Sequence, residues 1–496
     1  MKPLKNKKIV IAGGGTAGWM AAAAMAKQLG QVVDIILVES DDIGTVAVGE
    51  ATIPTIHTFH SLLGLNEQEF MKATSATYKL AISFENWGQQ GDDYFHSFGL
   101  AGKDSFFADF HHFWLRGLRE GHTADYSEYC YELQAAKAKK FIKSEQDPLN
   151  YAFHFDANAY AMYLRKYSEL RGVKRIEGKI CKVNTNKANG YISSLELENG
   201  EVVDGDMFID CTGFKSLLIE DTLKTGYEDW SHWLPCDSAY AVQTKTTEDA
   251  APYTRSIAHK AGWRWKIPLQ HRNGNGLVYS SKYMSDDVAK ALLLESVEED
   301  MITEPRLIKF KTGRRLKAWN KNCVALGLSS GFIEPLESTS IHMIMTGIIR
   351  FIRLFPSGDI NPVLVDEYNN QAKVETERIR DFIILHYHVT QRDDSEFWNY
   401  CRNMDIPDSL AQRINLFKKH GQTFQLNGDI FRVNSLTQVM LGQGIMPEQY
   451  NPIVNAMKDN ELKEFLTGYR NKITQAVDKL PRHQEFINYY CQKPSS

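Results

Sequence analysis

Lys7-Lys8-Ile9-Val10-Ile11-Ala12-Gly13-Gly14-Gly15-Thr16-Ala17-Gly18 decides the fold of this chain. Lys7 to Ala12 is a short apolar run of the kind that forms a buried strand, and three glycines follow it directly. Thr16 to Leu29 then reads as an alanine-rich helix ended by Gly30, and Val33 to Val38 as a second apolar strand with Glu39 at its end. Gly13, Gly15 and Gly18 occupy the glycine positions of GxGxxG. They permit a tight turn and close approach of backbone to a pyrophosphate, while Thr16 and Ala17 open the helix whose N-terminus meets that charge. Glu39 falls about 20 residues after Gly18, where an acid accepts from a ribose hydroxyl. The unit predicts a Rossmann-type, dinucleotide-binding α/β body.

Beyond Glu39 the pattern mixes strands and helices. Strands are expected at Lys179–Val183, Ile192–Leu197, Asp206–Cys211, Ala239–Thr244, Trp263–Pro268, Gly276–Ser281 and Cys323–Leu328. From Ser338 the periodicity turns helical, with helices at Ile341–Leu354, Val363–Tyr387, Asp408–His420, Glu461–Lys479 and Arg482–Cys491. The expected organisation is a body over 1–350, with inserted segments near 60–160, and a largely helical part over 351–496 packed on it and interleaved with it. At 496 residues and 43% hydrophobic content the chain has ample material for such a core. A net charge of -4 gives no general attraction for nucleic acid or a membrane surface.

No apolar run reaches the ~18 residues of a membrane helix. The basic start MKPLKNKK mimics a leader, but the residues after it complete the βαβ unit. Seven dispersed cysteines without a CxxC pair point to reduced thiols and a cytoplasmic protein. His57/His60, His111/His112 and His386/His388 form pairs without an evident further ligand, and HExxH is absent, so no metal site is expected.

Which dinucleotide binds is read from the rest of the chain. Asp210-Cys211-Thr212-Gly213-Phe214 resembles the second FAD contact of two-domain flavoproteins, and Asn322-Cys323-Val324-Ala325-Leu326-Gly327-Leu328 the late strand under a flavin. Three further segments stand out: Lys79 within ATYKLAISF, Trp263-Arg264-Trp265-Lys266-Ile267-Pro268, and Glu334-Pro335-Leu336-Glu337-Ser338-Thr339-Ser340. Read as one strand, Lys79, Ala81 and Ser83 share a face of small side chains. A buried amine there would have a lowered pKa and an available lone pair. Taken alone, the Trp-x-Trp pair is two packed core aromatics, Glu337 a carboxylate before a helix capped by Ser338 or Thr339, and His96 and Phe98 core side chains.

Together these segments resemble the flavin-dependent halogenases of the tryptophan halogenase family. The resemblance implies an FAD-binding, monooxygenase-like fold that uses FADH2, O2 and chloride or bromide to make hypohalous acid for electrophilic halogenation of an arene. Lys79 would meet that acid, through a hydrogen bond or as a haloamine. Glu337 would polarise the reagent or take the arene proton, with Glu334 its nearest rival. Halide would lie at Thr339 and Ser340, where the family commonly has glycine at the second position. His96 and Phe98 would line the arene pocket, and Trp263 and Trp265 would keep the arene off the flavin. Ile43 to Pro54 would be the family's mobile strap, with FAD contacts at Val48, Glu50 and Ala51 and others at Ile180, Leu328 and Ile341.

The resemblance also implies a separate NAD(P)H-dependent flavin reductase, a small aromatic substrate and the homodimer common among relatives. It thins after Trp398: the aromatic lid and tyrosine run that hold the amino-acid end of tryptophan have no evident counterpart, and Leu436 stands near where an aromatic would be sought. An indole-type or other electron-rich arene is as consistent as tryptophan itself. Two rivals remain: a flavin monooxygenase that hydroxylates its substrate, for which Lys79 would be dispensable, and a non-catalytic flavin-binding protein.

Overall fold

The computed structural model describes residues 7–44, 50–105 and 107–492. Contacts within the chain group it into two units, one of residues 1–76, 155–235 and 309–377, the other of 77–154, 236–308 and 378–496.

The first unit is built on the βαβ start. Strands Lys7–Ala12 and Val33–Glu39 pair in parallel, flanked by Met207–Asp210 and Cys323–Ala325 on one side and Lys174–Glu177 on the other. Ile9 to Ala12 are fully buried, as expected of a parallel strand covered on both faces. Helix Thr16–Leu29 has the expected limits, and its run from Gly18 to Ala26 is buried, so it is apolar all round because it is enclosed all round. Two smaller antiparallel sheets complete the unit, one of Ile180–Thr185, Ile192–Leu197 and Val202–Asp204. The mixed α/β, Rossmann-like body read from the sequence is the fold observed.

In the second unit, strands Ser238–Lys245, Arg272–Tyr279, Gly262–Pro268, Tyr253–His259, Ala81–Glu85 and Asp93–Ser97 lie side by side in that order. Helices Phe110–Arg119, Tyr131–Lys137 and Asp459–Asp478 pack through Phe110, Phe113, Trp114, Leu133, Leu462 and Leu466. Helix Asp408–His420 has the expected limits and ends at Gly421 in the left-handed conformation.

One expectation is corrected here. Residues 77–85 do not form a single strand: Thr77–Lys79 pairs antiparallel with the Ala152–His154 segment, and Ala81–Glu85 belongs to the larger sheet. The break is at Leu80, whose N–H donates to the Pro252 carbonyl at 2.7 Å and whose carbonyl accepts from Phe98 N–H at 3.0 Å. Lys79 is therefore the last residue of a three-residue strand, just before the chain changes sheets.

Candidate active site

In the first unit the glycine turn is packed too closely for side chains. Gly13 has φ +105°, and a Cβ on it would stand 2.3 Å from the Cys211 carbonyl oxygen; a Cβ on Gly18 would stand 1.9 Å from the Gly13 carbonyl oxygen. This cradle of exposed backbone at a helix start fits the pyrophosphate of a dinucleotide. Glu39 closes the second strand as expected. Its carboxylate accepts from Arg175 Nε at 2.6 Å and Trp19 Nε1 at 3.3 Å, and lies over Gly14. The late turn Gly327–Ser329, which carries Leu328, comes to the same helix: a Cβ on Gly327 would be 3.0 Å from that of Ala17. Ile341 is buried in helix Ser340–Arg353, and Ala51 is buried as well. Ile180 opens its strand, pairs with Leu197 and packs, half-buried, against the core of the first unit. Val48 lies outside the described residues, as do Thr45 to Gly49 of the expected strap.

Asp210 is the organiser that reading the DCTGF segment as a flavin contact missed. It is fully buried. One carboxylate oxygen accepts from Thr212 N–H and the Ser329 hydroxyl, both at 3.0 Å; the other accepts from the N–H groups of Leu218 and Ile219 at 2.9 and 2.8 Å. A single carboxylate thus ties the Cys211–Phe214 turn to the Gly327–Ser329 turn and caps the helical turn after Ser216.

Glu334 precedes and Glu337 ends a short 3-10 turn, Pro335–Glu337, and both are fully buried, so neither is a solvated carboxylate. Ser338 follows with φ 59°, and Thr339 is the N-cap of helix Ser340–Arg353. As N-cap, Thr339 makes no side-chain capping bond. The Thr339 hydroxyl is buried without a hydrogen-bond partner among the described residues, at the first turn of a 14-residue helix. Such a group aimed at a helix start suits a bound halide. One turn on, His342 takes Thr55 Oγ1 on Nδ1 at 2.9 Å and faces Glu375 through Nε2 at 3.2 Å. Burial pushes the Glu375 carboxyl up, but His342 and Arg350 outweigh it and hold the group below the usual carboxylate range.

In the second unit Lys79 is 0% exposed, an unusual state for a lysine. Its amine lies 5.2 Å from the Phe98 ring centroid. His96, two residues before Phe98 on strand Asp93–Ser97, is buried with its ring 5.5 Å from Phe382 and 6.0 Å from Phe431; those two rings stack at 3.8 Å. Lys79 thus meets Phe98, and His96 meets an aromatic pair that carried no sequence signal. A small depression there is lined by Phe382, Phe431, Leu436, Arg413 and Asp381. Of the charges that line it, Asp429 pairs with Arg413 at 2.6 Å and Arg378 at 3.6 Å, while Asp381 pairs with its chain neighbour Arg380 at 2.8 Å. Trp263 and Trp265 alternate onto one strand face as expected, both buried, with centroids 6.0 Å apart.

The His111/His112 pair gains a third neighbour, Asp109, with ligand atoms of all three within 4.8 Å of one another. His111 Nε2 donates to the Gly421 carbonyl at 2.6 Å, leaving Nδ1 bare. His112 Nδ1 accepts from Asn451 N–H at 3.2 Å, so its proton sits on Nε2. One bare nitrogen and one carboxylate fall short of a zinc-type ligand set. No disulfide joins the seven cysteines among the described residues, and no helix among them is long and apolar enough to cross a membrane.

The chain matches the tryptophan halogenase family model over residues 8–459. It is 34% identical to the tryptophan 7-halogenase of Lentzea aerocolonigenes, over 97% of this chain and 98% of that one. Among solved structures, a flavin-dependent halogenase from Xanthomonas campestris superposes with TM-score 0.96 at 50% identity, covering 99% of both chains. One from Brevundimonas sp. BAL3 does so with TM-score 0.94 at 44% identity, covering 98% of this chain and 100% of that one.

Proposed function

Since the chain belongs to the tryptophan halogenase family and is an FADH2-dependent halogenase, we propose that Lys79 delivers the electrophilic halogen and that Glu337 takes up the arene proton. The observation that carries this reading is Lys79 itself: a wholly buried amine 5.2 Å from the centroid of the Phe98 ring. When bound, FADH2 would supply the two electrons with which O2 and halide yield hypohalous acid and water. Gly13, Gly15, Thr16, Ala17 and Gly18 would hold the dinucleotide's pyrophosphate, with Glu39 toward its ribose and Ala51, Leu328 and Ile341 toward the rest.

The reaction then balances as arene plus hypohalous acid giving haloarene plus water. Lys79 holds the reagent and directs the halogen onto an arene carbon; the displaced ring proton passes to Glu337, and hydroxide and proton leave as water. Thr339 and Ser340 hold the halide, and Trp263 and Trp265 keep the arene from the flavin. A separate NAD(P)H-dependent flavin reductase supplies FADH2, in keeping with a single dinucleotide fingerprint in the chain.

The substrate is an indole-type or other electron-rich arene.

The test is a mass-spectrometric assay with FAD, a flavin reductase, NADH, O2, bromide or chloride, and a panel holding indole and tryptophan. A halogen isotope pattern on product, lost in Lys79→Ala while flavin reoxidation continues, is the expected result. Oxygenated product without halogen would overturn the proposal in favour of direct hydroxylation.

A further inference from the structure

A strand of three residues is a weak way to hold a reactive amine. Thr77–Lys79 pairs with only three partners, Thr77 with His154, Tyr78 with Phe153 and Lys79 with Ala152. A slip of one residue would turn Lys79 to the opposite face. Something must pin the register, and side chains at the far end of the strand do so.

The pin is a chain of three hydrogen bonds through a wholly buried histidine. The Thr77 hydroxyl donates to the Pro268 carbonyl at 2.7 Å. Its one proton is used there, so toward His154 Nδ1, 3.1 Å away, it can only accept. Nδ1 of His154 therefore carries the ring proton, and bare Nε2 accepts from the Thr254 hydroxyl at 2.9 Å. Burial, and after it the neighbouring Lys79 and His483, push the His154 imidazole well below its ordinary pKa, which agrees with a neutral ring. The assignment leaves donors and acceptors matched along the chain.

The strands joined in this way matter. Pro268 ends the strand that bears Trp263 and Trp265. Thr254 lies on the neighbouring strand and is in register with Ile82, just past the break at Leu80. The Lys79 strand is thus fastened at one end by Thr77 to the tryptophan strand and through His154 to the Thr254 strand, and at the other by the Leu80 backbone. The Thr77 hydroxyl meets His154 only when the pairing is in this register.

We propose that His154 is a positioning residue for Lys79: as a neutral Nδ1–H imidazole it fixes the register of the three-residue strand, and so where the amine stands when hypohalous acid arrives. The inference rests on the reading of Lys79 given above. A loosened Lys79 strand leaves hypohalous acid formation intact but wastes the acid, so the two steps separate.

The experiment compares the parent holoenzyme with His154→Leu, His154→Asn, Thr254→Val and Lys79→Ala. Each is assayed with indole and bromide for haloarene formed per FADH2 oxidised, with a 1,3-diketone trap for escaped hypohalous acid. His154→Leu, which removes both ring bonds, is expected to lower haloarene per FADH2 about tenfold and raise trapped acid to match, with unchanged FAD affinity. His154→Asn, which keeps a donor for Thr77, should stay within about threefold of parent. Histidine-selective 15N spectra of the flavin-free protein should show His154 protonated on Nδ1 and bare on Nε2.

Equal coupling in parent and His154→Leu, equal loss in the Leu and Asn variants, or a proton on Nε2 would each overturn the inference. If His154→Leu does not fold, the near-isosteric Thr254→Val decides: a drop in coupling supports the inference, and parent-like coupling overturns it. Normal coupling in Lys79→Ala would bring down the Lys79 reading and this one with it. Loss there with parent-like His154 variants would bring down this one alone.

Discussion

Gly276 stands directly across the strand pair from Trp265, and the indole covers the place where a side chain would be: a Cβ on Gly276 would lie 2.0 Å from a ring carbon of Trp265. An aromatic laid over a cross-strand glycine fills the gap the glycine leaves in the sheet. Gly276→Ala must therefore move the ring. The expected cost is about 1–3 kcal/mol in a urea melt, with a shifted tryptophan emission. In Trp265→Ala the same change should add little, so the two costs should fall well short of additive. Full additivity would show that the ring does not rest on that glycine.

Thr339 makes a separate prediction, because stability and binding should move in opposite directions. A buried hydroxyl without a partner costs folding energy, so Thr339→Val should be neutral or stabilising in a thermal melt. If the hydroxyl serves halide, the same variant should raise the halide KM about tenfold while kcat at saturating bromide changes little, and Thr339→Ser should resemble the parent. An unchanged halide KM in Thr339→Val would remove Thr339 from the halide site.

The sequence made the local parts legible and the long-range parts opaque. Helices Thr16–Leu29 and Asp408–His420 have the limits read from periodicity and flanking glycines, since those signals are local. Lys79 and the two tryptophans were found because they sit in recognisable runs. The break at Leu80 was not, because its cause is Pro252 and Phe98, distant in the chain. Asp210 gathers donors from residues as far apart as Thr212 and Ser329, so a turn motif could not disclose its role. Phe382 and Phe431 lie on separate segments of helical and loop sequence, and no spacing rule links them to His96.

Glu337 and Glu334 are equally buried, so burial does not choose between them. The choice is made by kinetics. If Glu337 takes the arene proton, Glu337→Gln should lower kcat for haloarene by about 10²-fold or more while flavin reoxidation continues at the parental rate. Glu334→Gln, acting on the start of the Pro335–Glu337 turn, should stay within about tenfold. The reverse order would hand the role to Glu334.

Acid should destabilise the protein well before its carboxylates titrate. His60 is held down to about 3 by burial and then by His57; burial sets His111 and His483 at about 4, each partly offset by a backbone hydrogen bond; His154 is lowered by burial and then by Lys79 and His483. Each is shifted toward the neutral ring in the fold, whereas in the unfolded chain each takes a proton below about 6.5. The unfolded state then binds more protons, so stability is full above about 6.5 and is lost progressively as pH falls toward 4. Between pH 7.5 and 5.5 each such histidine should contribute a loss of about 1 kcal/mol. Glu132 and Asp109, raised mainly by burial, act in the opposite sense, since in the fold they accept protons earlier than in the unfolded chain. The lowered histidines outnumber the two raised carboxyls and leave a net acid destabilisation, readable as a falling urea midpoint over that range. His60→Gln, which removes one titrating ring from beside Tyr160, should flatten the slope by roughly 1 kcal/mol per pH unit near pH 5.5. A slope unchanged in that variant would mean that His60 is protonated in the fold.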